Sequence, residues 1–271
     1  MTNFVSGVRR RLGRSPFLPA VFTTWRTVRE WSPMLVARNW TARRNAAIPI
    51  PPGNLIFSAT ATRDVGWFLR AGKLSAQSFR DALTDLGRPI ESFRTVLDMG
   101  CGCGRVLRQW DGVVGPRFFG TDYNPAGIEW ARANLKGISF GTNQLAPPLR
   151  YENQAFDLVY AVSVFTHLPE ALQRPWIEEM HRILEPGGVL MLTLSGEAEL
   201  GRVTAGERER FKSGHLVVVD PRYAGTNLCG VFHPESYVRR NWSDLFRVSR
   251  IYPEGGLGSP RQDLYVFERV G

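Results

Sequence analysis

Apolar positions along the chain change their period near residue 94. Upstream they recur at helical intervals: Val21, Trp25 and Val28 fit a short amphipathic helix. Residues 55–87 read as a longer helix with Phe79, Leu83 and Leu86 on one face, Ser75 a candidate N-cap and Gly87 a stop. Between these stretches, Ile48-Pro-Ile-Pro-Pro-Gly53 is incompatible with helix and reads as a stiff linker. No internal repeat or low-complexity tract interrupts the chain.

From residue 94 onward, short apolar runs alternate with helical stretches. Strands are expected at Thr95–Asp98, Arg117–Asp122, Ile138–Thr142, Phe156–Ala161 and Val189–Leu194. Asn124 and Pro125 suit the N-cap and first position of the helix after the second strand. Trp176, Ile177, Met180, Ile183 and Leu184 share one face of the helix after the fourth, and Glu185-Pro-Gly-Gly188 ends it. Leu245–Tyr252 and Asp263–Arg269, joined by a Gly/Pro-rich loop, suggest an antiparallel hairpin closing one edge. The expected fold is α/β: a doubly wound, mostly parallel seven-stranded sheet with a C-terminal antiparallel hairpin and a helical N-terminal extension.

Charge modifies this picture in one place. Residues 1–45 hold nine arginines (Arg9, Arg10, Arg11, Arg14, Arg26, Arg29, Arg38, Arg43 and Arg44) against Glu30 alone, a net +8. The rest of the chain carries 25 basic and 24 acidic side chains, so the basic character belongs to an arm and not to the body. A uniformly basic nucleic-acid-binding surface is therefore not expected. The arm interleaves its arginines with Phe17, Phe22, Trp25, Trp31 and Trp40, and three readings stand: a helical cap over the site or a homodimer contact, an interfacial helix against anionic membrane lipid, or recognition of an acidic substrate. No long uncharged apolar run and no secretory signal are expected, and three cysteines make a poor disulfide framework, which points to a cytoplasmic location. Cys101-x-Cys103 with a distant Cys229 also lacks the usual spacing of metal ligands, so no metal is expected.

Candidate chemistry gathers at strand ends, where open α/β sheets bind ligands. The first strand runs into Asp98-Met-Gly-Cys-Gly-Cys-Gly104, with Gly100, Gly102 and Gly104 at alternate positions where the backbone must turn tightly and approach a ligand. The second ends in Asp122, whose carboxylate can accept two ribose hydroxyls. The third ends in Thr142-Asn-Gln144, where the Asn143 amide can meet an adenine edge. The glycine spacing is not the Gly-x-Gly-x-x-Gly of NAD-binding proteins, which leaves a dehydrogenase a distant alternative.

The runs Val-Leu-Asp-Met-Gly-Cys-Gly-Cys-Gly-Arg, Phe-Gly-Thr-Asp122, Phe-Asp-Leu-Val-Tyr and His-Arg-Ile-Leu-Glu-Pro-Gly-Gly188, in that order, resemble the class I S-adenosylmethionine-dependent methyltransferases, most of all the small-molecule type. The resemblance covers residues 94–195 firmly and the last two strands loosely. It implies a Rossmann-like fold and S-adenosyl-L-methionine as cofactor. Asp98 and the backbone of Gly100 and Gly102 would hold the methionine end, Asp122 the ribose with Tyr123 beside the adenine, and Asn143 and Gln144 the adenine. Ala161 to Ser163 would lie under the sulfonium. Turn formation is the alternative role for Asp98 and Asp122, and a purely structural one for Tyr123 and Gln144.

Methyl transfer from a sulfonium needs alignment first, and a base only where the acceptor must lose a proton. His167, in Val162-Ser-Val-Phe-Thr-His-Leu168, is the candidate catalytic residue; the alternative is a hydrogen-bonded residue packing the next helix. His181 reads as a surface or packing residue; His215 and His233, in the 195–240 insertion, read as structural, with contact to the acceptor as the alternative. The strand-four exit Ala161-Val-Ser163 lacks the Asn/Asp-Pro-Pro-aromatic signature of enzymes that methylate nucleobase amines. The expectation is a basic helical extension or cap over residues 1–90 and a cofactor-binding catalytic domain over 91–271, with an acceptor-covering insertion at 195–240. The expected reaction is methylation of an oxygen or nitrogen of a small-molecule or glycan-like acceptor. An RNA or protein methyltransferase, or a cofactor-binding protein without turnover, are the alternatives.

Overall fold

The computed structural model describes residues 32–258 and 261–271. The expected helix around Val21, Trp25 and Val28, and most of the arginine arm, lie outside the described residues.

Helix α1 (Pro33–Arg44) opens on Ser32, whose hydroxyl accepts from the Leu35 amide. The proline-rich linker after it is not helical, so its carbonyls need outside partners. Arg43 donates to the Ile50 and Pro51 carbonyls, and Arg108 to those of Ile48 and Pro49. Residues 55–87 form two helices where the sequence reading expected one. Helix α2 (Gly53–Thr60) stops at Ala61, which is left-handed (φ 57°), and α3 (Val65–Asp85) restarts from Asp64, whose carboxylate caps the Trp67 amide. Ser75 therefore sits inside α3 and caps nothing; its hydroxyl donates to the Leu257 carbonyl instead. Gly87 does end the helix, at φ +74°.

Strands β1 (Thr95–Met99), β2 (Arg117–Asp122), β3 (Ile138–Thr142) and β4 (Phe156–Ala161) follow the expected bounds closely. Asn124 caps α4 (Pro125–Asn134) through the Gly127 amide, with Pro125 at its first position. Helix α5 (Glu170–Ile183) ends one residue earlier than expected. Leu184 begins β5 (Leu184–Leu194) by pairing with Phe156, and Glu185-Pro-Gly-Gly188 forms an irregular start to that strand. The region before the last two strands holds α6 (Ala205–Lys212), a two-stranded ribbon of β6 (Val217–Val219) and β7 (Gly230–Phe232), and α7 (Glu235–Trp242). The hairpin β8 (Phe246–Gly256) and β9 (Gln262–Arg269) completes a seven-stranded sheet in the order β3-β2-β1-β4-β5-β9-β8.

Within this sheet β9 pairs antiparallel with both β5 and β8, and the other pairs are parallel. Alternation along the strands divides the core. Leu97, Val159, Leu190 and Leu192 face α5 and α7, whereas Val96, Leu158, Val189 and Met191 face α3 and α4. Strand order reverses between β1 and β4, which opens a crevice beyond their carboxyl ends. Among the described residues, no helix is long and apolar enough to cross a membrane.

Candidate functional site

The crevice between β1 and β4 is a cleft open to solvent. Its floor is the glycine turn after β1. Gly100 is left-handed (φ +77°), and a Cβ there would lie 2.3 Å from the Val164 methyl, so only glycine lets β1 and the β4 exit approach this closely. Gly102 is also left-handed (φ +56°), but its side-chain position is nearly open, with Ala59 the nearest atom at 3.7 Å. Its bare backbone faces the cleft.

Asp122, at the end of β2, ties this turn to α4. One carboxylate oxygen accepts from the Gly102 amide at 2.7 Å and the other from the Asn124 amide at 2.8 Å. Each oxygen keeps a further lone pair. Burial raises its pKa, and the two amide bonds oppose that rise by favouring the charged form. Asp98 is buried more completely; desolvation pushes its pKa well up, against the nearby charge of Arg105 and a hydrogen bond from Tyr160.

The loop after β4 forms the opposite lip. Ser163 is held in a left-handed conformation (φ 59°), a strained position for a residue with a Cβ. A closed set of bonds maintains it: its amide donates to Thr193 Oγ1 at 2.7 Å, its hydroxyl accepts from Gln262 Nε2 at 2.8 Å, and Thr193 in turn donates to Gln262 Oε1 at 2.7 Å.

A strap from the region after β7's partner strand crosses the mouth. Tyr123 Oη donates to the Gly225 carbonyl at 2.7 Å, the Gly225 amide donates to the His167 carbonyl at 2.8 Å, and Asn227 Nδ2 reaches the Ser58 carbonyl on α2 at 3.0 Å. His167 Nδ1 lies 2.6 Å from the Cys229 carbonyl. A carbonyl only accepts, so Nδ1 carries the proton and Nε2 keeps its lone pair. Nε2 has no hydrogen-bond partner among the described residues. Burial lowers the His167 pKa and the Arg202 charge adds to that, against the Cys229 bond, so the ring is neutral near pH 7.

Asp98, Gly100, Gly102, Asp122, Tyr123, Asn143, Gln144, Ser163 and His167 all line this cleft. Gly104 does not. It is left-handed (φ +76°), and a Cβ there would lie 2.3 Å from the Leu135 side chain, so it serves helix packing behind the turn. Asn143 lines the cleft, yet its amide oxygen accepts from Thr121 and its nitrogen donates to the Gln144 carbonyl, which leaves one N–H for a ligand. His181 bonds the Val270 carbonyl, His215 is exposed, and His233 is buried on Gln173. Three cleft elements escaped the sequence reading: Arg105, the strap residue Asn227, and the α2 residues Leu55, Ser58 and Ala59. Only Arg105 had a local signal, a charge inside an otherwise apolar run directly after the glycines.

Residues 96–188 match the family model described as a methyltransferase domain. The chain resembles the S-adenosylmethionine-dependent methyltransferase of Mesorhizobium loti at 17% identity and a TM-score of 0.54, covering 72% of this chain and 100% of that one. It resembles a second, from Methanosarcina mazei, at 19% identity and a TM-score of 0.51, covering 69% and 96%. The glycopeptide N-methyltransferase MtfA complexed with sinefungin matches at 17% identity and a TM-score of 0.51, covering 72% and 93%. At these identities the structural likeness concerns the fold.

Proposed function

We propose that this chain is a class I S-adenosylmethionine-dependent methyltransferase, on the support of its methyltransferase-domain match, and that its acceptor is a small or glycan-like molecule methylated on oxygen or nitrogen. When bound, the cofactor supplies an electrophilic methyl group on a sulfonium. The cleft has the parts to hold it. Gly102 offers a backbone that no side chain shields, and both Asp122 oxygens retain lone pairs for ribose hydroxyls. Gln144, Tyr123 and the free N–H of Asn143 line the same cleft and would meet the adenine, and the fixed backbone of Ser163 would lie under the sulfonium.

The observation that carries the acceptor reading is the state of His167. Its proton sits on Nδ1, anchored to a backbone carbonyl, so its unprotonated Nε2 can take the proton that a hydroxyl or amine loses on methylation. An acceptor without an ionisable proton would not need it. Residues 1–90 act as a cap and 195–240 as an acceptor cover; the support is that α2 and the strap both line the cleft and are joined by the Asn227–Ser58 bond.

The test is acceptor-dependent formation of S-adenosylhomocysteine across panels of hydroxylated, phenolic, amine and oligosaccharide compounds. A productive acceptor should emerge, and His167→Ala should lower kcat by about 10²–10⁴-fold with S-adenosylhomocysteine affinity unchanged. An unaltered kcat removes the base. Turnover only with RNA or protein would replace the acceptor class, and cofactor binding with no turnover on any panel would make the chain a binding protein.

A further inference from the structure

Helix α1 carries apolar side chains on two sides, and only one side is covered. The inner side is seated on the domain. Ala42 packs against the cluster of Ile50, Leu55, Ile56, Val65 and Phe68. The Asn39 side chain accepts from the Val65 amide and donates to the Arg63 carbonyl, and Arg43 donates to the Ile50 and Pro51 carbonyls. These bonds fix the helix, and with it the side that faces out. On that side Val36 and Trp40 stand one turn apart, with Met34 in the first turn; they are 50%, 60% and 71% exposed. Three of the five most exposed large apolar side chains among the described residues thus lie between positions 34 and 40. Apolar residues scattered singly over a surface need no partner, whereas neighbours on one helix ask for one.

Charge decides what that partner is. Helix α1 contains Arg38, Arg43 and Arg44 and no acidic residue, and six further arginines precede it against Glu30 alone. A second copy of this chain would bring like charge to the face, and so would residues 1–31 laid against it. The partner is therefore anionic. Arg43 is spent on carbonyls and Arg38 lies 3.7 Å from Asp64. Arg44 has no acidic partner among the described residues, and its guanidinium rests over Trp40, 5.3 Å from the ring centroid. A nucleic acid is gripped by rows of cations and donors along its phosphates, and a face of Met, Val and Trp edged by one arginine gives it little to bind. An anionic bilayer takes both parts. Its interface accommodates Trp and buries aliphatic side chains, while its surface potential attracts arginines.

We propose that the outer face of α1, with Val36 and Trp40 as its apolar anchors and the neighbouring arginines as its charge, docks this protein on an anionic lipid bilayer. The helix lies on the membrane and does not cross it. This docking is separate from the acceptor reading and holds whichever molecule is methylated.

Co-sedimentation of the full chain with vesicles of phosphatidylcholine, with and without phosphatidylglycerol, tests this. Wild-type protein should bind the anionic vesicles at least about tenfold more tightly than the neutral ones, and less tightly as salt is raised. The double variant Val36→Ser, Trp40→Ser should weaken binding at least about tenfold, and Arg44→Gln about fivefold. Val114→Ser, which removes a still more exposed apolar side chain outside the helix, should change nothing. All of these positions are exposed, so far-ultraviolet circular dichroism should match wild type throughout. Equal affinity for the two kinds of vesicle, or binding to neither, overturns the proposal, and that comparison uses unaltered protein. A double variant that binds as wild type does overturns it as well, since the arginines alone would then hold the chain. Retention on immobilised single-stranded RNA with none on vesicles would overturn it in favour of a nucleic acid.

Discussion

The two walls of the cleft are made in different ways. The wall proposed to hold the cofactor comes from one continuous stretch of strand ends and turns, residues 98–163, and its atoms are fixed by backbone bonds and buried carboxylates: Asp122 to two amides, the Gly100 and Cys101 amides to the Thr121 carbonyl. The wall proposed to cover the acceptor is assembled from α2 and from the strap some 170 residues later, and single polar contacts hold it: Asn227 to Ser58, Tyr123 to Gly225. The first wall is part of the sheet. The second is a surface laid across it, and can shift without unfolding the core.

The sharpest way to break this contrast is at Asp122. Asp122→Ala removes the acceptor for two backbone amides and for the ribose, and cofactor affinity should fall about 100-fold, with far-ultraviolet circular dichroism unchanged. Titration that finds wild-type affinity would remove the ribose assignment and make the cofactor wall a turn like any other. A middle-sized effect is expected at His233, where the insertion attaches to β5 through the Ser195 carbonyl. Its Nε2 donates to Gln173 and its buried Nδ1 has no partner among the described residues; burial pushes its pKa down to about 3. The folded protein therefore resists a proton that the unfolded chain takes up below its ordinary value of about 6.5. This stability is complete above that pH and is lost as pH falls, by about 1 kcal/mol between pH 6.5 and 5.5. Denaturant titrations of wild type and His233→Asn at the two pH values measure it; a variant with the same acid loss would place the sensitivity elsewhere. The smallest effect belongs to the strap. Asn227→Ala removes one exposed bond worth about 0.5–1 kcal/mol, so acceptor KM should rise about two- to fivefold while S-adenosylhomocysteine affinity stays put. Equal loss of both would show that the walls are one mechanical unit.

The same contrast explains what the sequence disclosed. Strand bounds, the Asn124–Pro125 helix start and the clustering of Asp98, Gly100, Gly102 and Asp122 were legible because each depends on neighbours along the chain. Gly104 was legible as a turn but not as a packing residue, since the Leu135 contact that fixes its role is 31 positions away. The break between α2 and α3 was missed because Asp64 competes with Ser75 as a cap, and the deciding contacts are tertiary: the Asn39 side chain accepts from the Val65 amide and donates to the Arg63 carbonyl. Arg105 was visible as a charge, but its burial depends on Gly72 and the β8–β9 loop, neither adjacent to it. The acceptor wall was least legible, because nothing local marks Ser58 or Asn227 as meeting.

The strap grips its surroundings almost wholly through main-chain carbonyls: those of Gly225, Ser58, Cys229 and His167. Main-chain atoms are the same whatever residue carries them. The exposed Leu228 side chain is thus free to drift while the seating persists, whereas Thr226 is tied into the strap's own turn: its hydroxyl donates to the Tyr223 carbonyl and accepts from the Leu228 amide.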